Sequence, residues 1–394
     1  MNILMFGWEF PPLNSGGLWT ACYGLTKSLA KRGVNITLVL PHAKGIKADF
    51  LKLVSANVRV KKVDSLLAPY QTPASYLRKR DEAKQTIYGF SLFEEVYRFT
   101  QQAAEIARQE HFDVIHCHDW MTYGAGIKAK EISKKPLVIH VHATEFDRTG
   151  GLGVNQHVYD IERAGMHTAD RIISVSQFTK NQIVSHYGIN PHKVTVVHNA
   201  VDFEETPKED FEIKKHRKTV LFLGRITLQK GPDYFLYAAK KVLEHDKNTL
   251  FIIAGSGDME AGMIEKAAEL GISDKVLFAG FLRGEDVDRA YKMADLYVMP
   301  SVSEPFGLTA LEAMKNNTPV LISKQSGVSE VIKHCLKVDF WDVDEMANKI
   351  LAVLRYRTLT DNLKENSLSE VRKFSWDEPA RKCIDVYHNA AGGG

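Results

Sequence analysis

Several features are scarce in these 394 residues, and each scarcity excludes a class of protein. No apolar run reaches the roughly 18 residues that a membrane-spanning helix needs, so we expect no stable membrane insertion. Lys and Arg number 51 against 48 Asp and Glu, and a net charge of +3 is too small for a typical nucleic-acid-binding protein. The opening residues, MNILMFGWEF, lack the basic stretch and the small-residue cleavage site of a signal peptide.

Cysteine is equally scarce: the chain has four, at positions 22, 117, 335 and 383, and none form a C-x-x-C pair. This spacing predicts reduced thiols in a cytoplasmic protein rather than a disulfide framework. The dinucleotide fingerprint G-x-G-x-x-G is also missing, which argues against a nicotinamide-dependent dehydrogenase.

What the chain does have is a regular alternation of short β-branched strands with amphipathic helices. Strands are predicted first at 2–6, 36–40, 58–63, 113–118, 137–142, 172–175 and 194–198, with helices at 18–31, 93–108 and 154–167. A charged segment at 208–218 interrupts the pattern. Five more strands follow, each with a helix after it, at 220–223, 250–254, 276–278, 296–299 and 320–322. Buried strands that alternate with helices predict parallel sheets covered on both faces.

The restart of the pattern predicts an α/β protein of two Rossmann-like, doubly wound domains, which also suits the length. The first domain would span 1–205, a linker 206–218 and the second domain 219–373. Ligands of such sheets bind at the carboxyl ends of the strands, so a deep cleft between the domains is the expected binding region. Residues 374–391 are predicted to form a final helix, and the pattern leaves open which domain it packs against.

Two segments that follow strands suit a diphosphate. Gly16 and Gly17 lie between the first strand and a helix, where paired glycines let backbone N–H groups approach an anion, although a plain tight turn explains them equally well. Gly224 and Arg225 close a later strand, and Lys230 follows before a helix. Arg can bind two phosphate oxygens at once, and Lys adds a compact positive charge. Their occurrence together at one strand end favours a phosphate-binding role over two cations that are merely exposed to solvent.

The strongest signal is the loop at 300–308, which carries Glu304 and is followed by Glu312 in a helix. Carboxylates accept hydrogen bonds from vicinal hydroxyls, so one glutamate could hold a sugar and the other a ribose. Glu312 could simply be an acidic residue in the first turn of a helix, where such residues are common. That alternative does not explain the Glu-Pro-Phe-Gly loop. The backbone N–H groups at the helix start are expected to be free for an anion; they belong to Phe306, Gly307 and Leu308.

Histidines cluster at the ends of two predicted strands. Strand alternation places His116 and His118 on one face, and likewise His140 and His142. Four imidazoles could meet around a metal ion, but nothing else supplies a second shell or carboxylates in metalloenzyme spacing, so no metal is assigned. His116 and His140 are best interpreted as core histidines that form hydrogen bonds with the backbone. His118, with Asp119 after it, and His142 lie nearer the strand ends and are the functional candidates.

A series of motifs then runs in order over essentially the whole chain: Glu9-x-x-Pro12, Gly16-Gly17-Leu18, His116-x-His118-Asp119-Trp120, Ser174-Val175-Ser176, Asn199-x-Val201-Asp202, Gly224-Arg225 with Lys230-Gly231, Gly255-x-Gly257, and Glu304 with Glu312. This series resembles the retaining GT-B glycosyltransferases that include bacterial glycogen and starch synthases. The resemblance implies two facing Rossmann-like domains and a C-terminal helix that crosses back to the first.

The resemblance also implies roles for the candidate residues. Arg225 and Lys230 would grip the diphosphate of a nucleotide sugar, Glu304 would bind the transferred sugar, and Glu312 would hold the ribose. The other donor contacts would come from Gly16 and Gly17 and from the backbone N–H groups of Phe306, Gly307 and Leu308. His142 would lie beside the reacting carbon, and the acceptor side would include Glu9, His118 and Asp119.

Retention in this family is usually explained by front-face attack, in which the leaving phosphate takes the acceptor's proton. A chain with two cations aimed at a departing anion and no obvious nucleophile fits this scheme, and no metal or cofactor is then required. The chain departs from glycogen synthases at three positions. It has Asn14 where they generally have Lys, Trp19 where a small residue is normal, and Thr20 where they carry an acid.

The leading hypothesis is a cytoplasmic, metal-independent retaining enzyme that transfers a hexose, most simply glucose from ADP- or UDP-glucose, to an α-glucan. One alternative is transfer to a lipid or small-molecule acceptor, with the basic residues of 78–84 at a membrane surface. Another is a non-catalytic protein that binds sugar nucleotides or glycans, with Trp19 blocking the donor loop. The sequence leaves the donor base, the acceptor and the oligomeric state open.

Overall fold

The computed structural model describes residues 1–8, 17–41, 48–55, 92–203, 211 and 216–392, with the backbone alone at 19, 54 and 55. The chain divides into two compact units. Unit 1 comprises Met1–Phe146, Gly153–Asn199 and Trp376–Gly394, and unit 2 comprises Asp147–Leu152 and Ala200–Ser375.

Unit 1 is built on a sheet of seven parallel strands in the order β3-β2-β1-β4-β5-β6-β7. The strands are β1 (Asn2–Phe6), β2 (Asn35–Leu40), β3 (Lys52–Ser55), β4 (Val114–His118), β5 (Leu137–Val141), β6 (Arg171–Ser174) and β7 (Val194–Val196). The central strands β4 and β5 are buried along their whole length. Burial on both faces explains why they consist of continuous apolar runs interrupted only by histidine.

Seven helices belong to the described part of unit 1 or border it: α1 (Gly17–Lys31), α2 (Leu92–Gln109), α3 (Trp120–Ser133), α4 (Glu145–Arg148), α5 (Gln156–Thr168), α6 (Gln177–Tyr187) and, at the end of the chain, α13 (Asp377–Ala391). Local sequence sets their ends. The Ser176 hydroxyl accepts a hydrogen bond from the Thr179 N–H at 2.9 Å and caps α6, which ends at Gly188 with a positive φ.

Unit 2 repeats this plan with six parallel strands in the order β10-β9-β8-β11-β12-β13. They are β8 (Lys218–Leu223), β9 (Thr249–Ala254), β10 (Val276–Gly280), β11 (Leu296–Met299), β12 (Val320–Ser323) and β13 (Leu336–Val338). Its helices are α7 (Pro232–His245), α8 (Glu260–Glu269), α9 (Glu285–Met293), α10 (Leu308–Lys315), α11 (Val343–Arg355) and α12 (Arg357–Val371). No helix in the described ranges is both long and apolar enough to cross a membrane.

Both sheets reverse their strand order at one point, which lies beside β1 and β4 in unit 1 and beside β8 and β11 in unit 2. The carboxyl ends of strands at such a reversal are where doubly wound sheets bind ligands. His118 ends β4, Gly224 follows β8, and the Glu304 loop follows β11. The two reversal points therefore coincide with the segments that the sequence marks as functional.

The predicted fold class is confirmed: each unit is a Rossmann-like parallel sheet covered by helices. The final helix, α13, packs on α1 within unit 1. Trp376, which precedes it, lies directly on Gly24 of α1, where an added Cβ would come within 2.2 Å of the indole. The small residue in α1 thus makes room for the end of the chain.

The structure also contains strands that the pattern did not predict, β3 and β13, while the predicted strand at 58–63 lies outside the described residues. The units divide at 199/200 and 375/376, beside the predicted boundaries at 205 and 374. Residues 147–152 fall within the predicted first domain, but the structure assigns this segment to unit 2. The Ser303 hydroxyl donates to Asp147 Oδ1 at 2.5 Å, and Gly150 lies against the side chain of Leu228.

Candidate functional site

Asp119 joins the ends of β4 and β5 at the strand-order reversal of unit 1. Its Oδ1 accepts hydrogen bonds from the backbone N–H groups of His142 at 2.7 Å and Ala143 at 3.3 Å. Its own N–H donates to the His140 carbonyl at 3.1 Å. Asp119 adopts a φ of 57°, which a residue with a side chain rarely does. Such backbone strain persists where the surroundings enforce it, so the fold holds Asp119 and the backbone of His142 in one arrangement.

The four predicted histidines form one buried cluster in unit 1. The rings of His116 and His118 stack at a centroid distance of 4.4 Å, and those of His140 and His142 at 4.2 Å. His118 and His142 lie 5.1 Å apart, centroid to centroid. All four residues are buried. The strand alternation expected from the sequence therefore brings both pairs to the same side of the sheet.

Hydrogen bonds distinguish the four rings. His118 Nδ1 and His142 Nε2 form a hydrogen bond of 2.9 Å, and His116 Nδ1 forms one of 2.6 Å with the hydroxyl of Tyr387 on α13. Within the described residues, both ring nitrogens of His140 and the Nε2 atoms of His116 and His118 have no hydrogen-bond partner. The expectation that His116 and His140 bond to backbone was wrong: α13 supplies a hydroxyl to His116, and His140 has no hydrogen-bond partner in the described part of the chain.

Burial sets the protonation of this cluster. It lowers the pKa of His118 to about 3 and holds the pKa values of His116, His140 and His142 well below the usual range, with the neighbouring imidazoles adding to the effect for these three. The four rings are therefore neutral near pH 7. His118 and His142 can exchange hydrogen bonds with a ligand, but they bring no positive charge to it.

The segment around Gly16 and Gly17 is only partly included in the described residues. Gly17 is the first residue of α1, the helix that follows β1 in the chain, while Gly16 and Glu9 lie outside the described residues. Trp19 is in the first turn of α1, and the structure describes only its backbone. Their predicted roles stay predictions.

In unit 2, Lys230 and Glu304 form an ion pair between Lys230 Nζ and Glu304 Oε2. Lys230 ends a one-turn 3-10 helix (Leu228–Lys230) after β8, and Glu304 follows β11. The side chains are 20% and 8% exposed, respectively. The Ser301 hydroxyl also donates to Glu304 Oε2 at 3.2 Å. One cation and one carboxylate thus meet at the strand-order reversal with little access to water.

Arg225 lies on the same turn after β8. Its Nη2 donates to Gln229 Oε1 at 2.7 Å, and Gln229 is itself buried. A planar guanidinium held by an amide has fewer conformations to lose when it binds an anion. The structure therefore places both predicted cations on one short turn, at positions 225 and 230, with their side chains already bonded.

Backbone hydrogen bonds fix the loop of Glu304. The Glu304 N–H donates to the Gln325 carbonyl at 2.9 Å, and the Gly327 N–H donates to the Glu304 carbonyl at 2.9 Å. Gly307 has a φ of 110°, and a Cβ there would lie 3.0 Å from the side chain of Met299. Only glycine fits this position without strain. Gly307 is the N-cap of α10, which begins at Leu308, so Phe306, Gly307 and Leu308 lie at the helix start; the binding of an anion by their N–H groups stays a prediction.

Glu312 lies one turn further along α10. Its Oε2 accepts a hydrogen bond from the hydroxyl of buried Tyr291 at 3.2 Å. Burial raises the pKa of Glu312, the Tyr291 hydrogen bond opposes this, and the nearby carboxylate of Asp288 raises it further. The fold thus holds an acidic group in a place where its charge is disfavoured, which is typical of a ligand-binding carboxylate.

We expect Glu312→Gln to raise the melting temperature of the free protein at neutral pH. A raised pKa means that the wild type loses this part of its stability as the pH rises through the pKa of Glu312. Glutamine keeps the size and can still accept from Tyr291. The difference should shrink in acid, where Glu312 is protonated. Thermal melts over a pH series measure this, with exposed Glu265→Gln as the control. Identical melting temperatures of wild type and Glu312→Gln at neutral pH would contradict it.

Sequence reasoning missed the residues that hold the candidates in place, namely Gln229, Tyr291 and Tyr387. Gln229 is one residue before Lys230, and the only signal in the sequence is an amide between two candidate cations, because its burial is seen only in the structure. Tyr291 and Tyr387 come from α9 and α13, and no spacing rule connects them to Glu312 or His116.

Family comparisons cover nearly the whole chain. Residues 15–205 match the family model described as Glycosyltransferase Family 4, and residues 203–369 match the one described as Glycosyl transferases group 1. The two matches meet near the divide between the units.

Individual relatives agree with the family matches. An uncharacterized glycosyltransferase of Methanocaldococcus jannaschii is 32% identical over 411 aligned residues, which cover 98% of each chain. A glycogen synthase of Mycobacterium tuberculosis is 26% identical over 84% of this chain and 80% of its own. A D-inositol 3-phosphate glycosyltransferase of Salinispora tropica is 27% identical over 73% of this chain and 66% of its own.

Solved structures show the same architecture. A sucrose-phosphate synthase of Thermosynechococcus elongatus superposes with a TM-score of 0.79 over 100% of both chains, at 18% identity. The protein HepE of Anabaena, in complex with UDP and glucose, gives 0.72 over 99% of this chain and 100% of its own, at 17% identity. At these identities the likeness concerns the fold, which is GT-B.

Proposed function

The chain belongs to the glycogen and starch synthase-like glycosyltransferases of family 4, and from this membership we propose that it is a retaining hexosyltransferase acting on an α-glucan. Its donor would be a nucleoside-diphosphate hexose, ADP- or UDP-glucose. The observation that carries the proposal is the Lys230–Glu304 pair at the strand-order reversal of unit 2, with Arg225 on the same turn. We also propose a cytoplasmic location, supported by four cysteines of which none forms a disulfide.

Donor binding falls to the cations and the loop N–H groups of unit 2. Arg225 presents a fork to phosphate oxygens, and Lys230 adds a compact charge. The first turn of α10, beginning at Leu308, adds backbone N–H groups and the positive end of a helix dipole. Glu312 accepts from the ribose hydroxyls.

Glu304 is the group proposed to bind the transferred sugar. Its Oε2 is engaged by Lys230 and Ser301, while its backbone is fixed on both sides. A carboxylate so restrained can direct its other lone pairs at sugar hydroxyls. The pair also links sugar and phosphate recognition, because Lys230 belongs to both.

The proposed chemistry is a front-face transfer. The bond between the anomeric carbon and the leaving phosphate oxygen breaks, a bond to the acceptor oxygen forms on the same face, and the acceptor's proton passes to the leaving phosphate. Lys230 and Arg225 stabilise the negative charge on that phosphate. His142, neutral and held by Asp119 through its backbone, is proposed beside the reacting carbon as a hydrogen-bonding group. His118 and Asp119 are proposed on the acceptor side.

A second acceptor class is favoured by a particular observation. The relatives of this chain include D-inositol 3-phosphate glycosyltransferases as well as glycogen synthases. A small phosphorylated polyol is therefore the alternative acceptor.

A donor and acceptor screen tests the proposal. Thermal shifts with ADP-, UDP- and GDP-sugars should reveal the donor, because a ligand that binds only the folded state raises its stability with concentration. Transfer from that donor is then measured to glycogen, to short maltooligosaccharides and to inositol phosphates. Elongation of glucan with an α-linkage supports the leading proposal, and transfer to inositol phosphate alone supports the second. Donor binding without transfer or hydrolysis would leave a binding protein.

Transfer should persist in excess EDTA, because Arg225 and Lys230 already supply positive charge for the departing diphosphate. Initial rates with and without chelator, after removal of metal from the purified chain, measure this. Activity abolished by the chelator and restored by one particular ion would contradict the metal-independent scheme.

A further inference from the structure

A sulfur and several imidazole nitrogens converge in the interior of unit 1. Cys22 on α1, His118 at the end of β4 and His142 after β5 have ligand atoms that all lie within 4.8 Å of one another. A second trio, made of His116, His118 and His140, meets the same limit and shares His118. Cys22, His118 and His142 are 3%, 1% and 4% exposed.

The ring nitrogens of this cluster are incompletely hydrogen-bonded. His118 Nε2, His116 Nε2 and both nitrogens of His140 have no partner within the described part of the chain. A buried polar group without a partner typically costs about 1–3 kcal/mol, and native folds keep few of them. One of these atoms, His118 Nε2, belongs to the trio with Cys22 and His142, and an ion that accepts its lone pair would satisfy it, while the other three belong to residues of the second trio.

We propose that Cys22, His118 and His142 form a binding site for a divalent ion of the zinc class. Sulfur and imidazole donors select Zn²⁺ and similar borderline ions, whereas Mg²⁺ and Ca²⁺ require oxygen ligands. His140 and His116 then stand directly behind the ligating rings. Three protein ligands leave a fourth position for water, the arrangement of an open zinc site.

Charge supports a divalent ion at this place. Binding converts the Cys22 thiol to a thiolate, which supplies one negative charge. The carboxylate of Asp119 supplies a second, since its Oδ1 is bonded to the N–H of His142 at 2.7 Å. Negative charge beside the ion reduces the free-energy cost of burying its two positive charges.

Binding of the ion has a consequence for sugar transfer, and this consequence rests on the proposed function. The ion engages His118 and His142, the residues proposed on the acceptor side and beside the reacting carbon. Zn²⁺ should therefore inhibit transfer reversibly, as a regulator rather than a cofactor, and the metal-independent scheme is unaffected.

The binding itself is tested without any activity assay, by titrating Co²⁺ into the metal-free full chain under reducing, thiol-free conditions. One equivalent should give a thiolate-to-cobalt charge-transfer band in the near ultraviolet, and Zn²⁺ should abolish it. Cys22→Ser should lose the band, while Cys335→Ser, a cysteine of unit 2, should retain it. His118→Gln provides a second ligand variant in case Cys22→Ser does not fold, as judged by circular dichroism. Absence of the band in the wild type, or its persistence in a folded Cys22→Ser or His118→Gln protein, would overturn the proposal.

An activity arm follows once a donor and acceptor are known. Zn²⁺ should inhibit the wild type and Cys335→Ser alike, with Cys22→Ser at least about tenfold less sensitive, since loss of a ligand weakens metal affinity by at least that much. Equal sensitivity of all three would refute the regulatory consequence. A chain that binds Co²⁺ but transfers no sugar would refute the proposed function and leave the metal site standing.

Discussion

Alanine in place of Lys230 is expected to lower the turnover of sugar transfer by about 10²–10³-fold, the range found when one preorganised charge stabiliser is removed. Lys230 is the ammonium that the fold holds against Glu304, so the substitution removes the positive charge and also frees the carboxylate. Single-turnover rates at saturating donor measure the loss in the chemical step. Donor affinity should fall less, because Arg225 and the α10 N–H groups remain.

Arg225→Ala should reduce turnover in the same range, since the guanidinium is the second cation on the turn after β8. Lys241→Ala is the matched control: it removes another lysine of unit 2, paired with Asp344 at 2.6 Å on exposed surface. That variant should behave as wild type, because exposed ion pairs contribute little. Near-normal turnover in both Lys230→Ala and Arg225→Ala would contradict the proposal that these two cations stabilise the leaving phosphate.

Much of the fold could be predicted because buried parallel strands leave a strong pattern. The strand at 2–6 was predicted with the bounds that the structure shows, and β11 likewise. The missed strands have a physical reason in common: β3 (KLVS) and β13 (LKV) contain lysine or serine within three or four residues, so neither shows the continuous apolar run of a buried strand. The docking of α13 on α1 depends on Trp376 meeting Gly24, a contact between distant positions that no local pattern contains.

Within the candidate site, sequence reasoning found the residues that carry charge but not those that orient them. Arg225, Lys230 and Glu304 were recognisable because cations and carboxylates after strands suit phosphates and sugars. Tyr387 could not be found, because its bond to His116 spans 271 positions of the chain. The positive φ of Asp119 left no sequence signal either, since aspartate is common before helices for capping alone.

Glu304 provides the sharpest contrast with its neighbour Glu312. The two carboxylates belong to one loop and helix, yet one is bonded to an ammonium and the other to a phenol hydroxyl. If Glu304 binds the transferred sugar and Glu312 the ribose, their glutamine variants should fail in different steps.

We expect Glu304→Gln to lower turnover by about 10²-fold while leaving the affinity for the free nucleoside diphosphate nearly unchanged. Glutamine preserves the size and an acceptor oxygen, but hydrogen bonds to sugar hydroxyls lose the contribution of the charge, about 1.5–3 kcal/mol each. Glu312→Gln should do the reverse and weaken nucleoside diphosphate binding first. Calorimetry with the diphosphate, beside single-turnover transfer, separates the two effects.

The ion pair between Lys230 and Glu304 also predicts that the effects of substituting these two residues are not independent. With Glu304 neutral, Lys230 loses the partner that positions it, so the double variant Glu304→Gln, Lys230→Ala should lose less than the product of the two single losses. The partly buried ammonium left by Glu304→Gln also lowers stability, so circular dichroism must first show a folded protein. Equal losses of diphosphate affinity in Glu304→Gln and Glu312→Gln, or strictly multiplicative turnover losses in the double variant, would contradict a Glu304 that acts together with Lys230 on the transferred sugar.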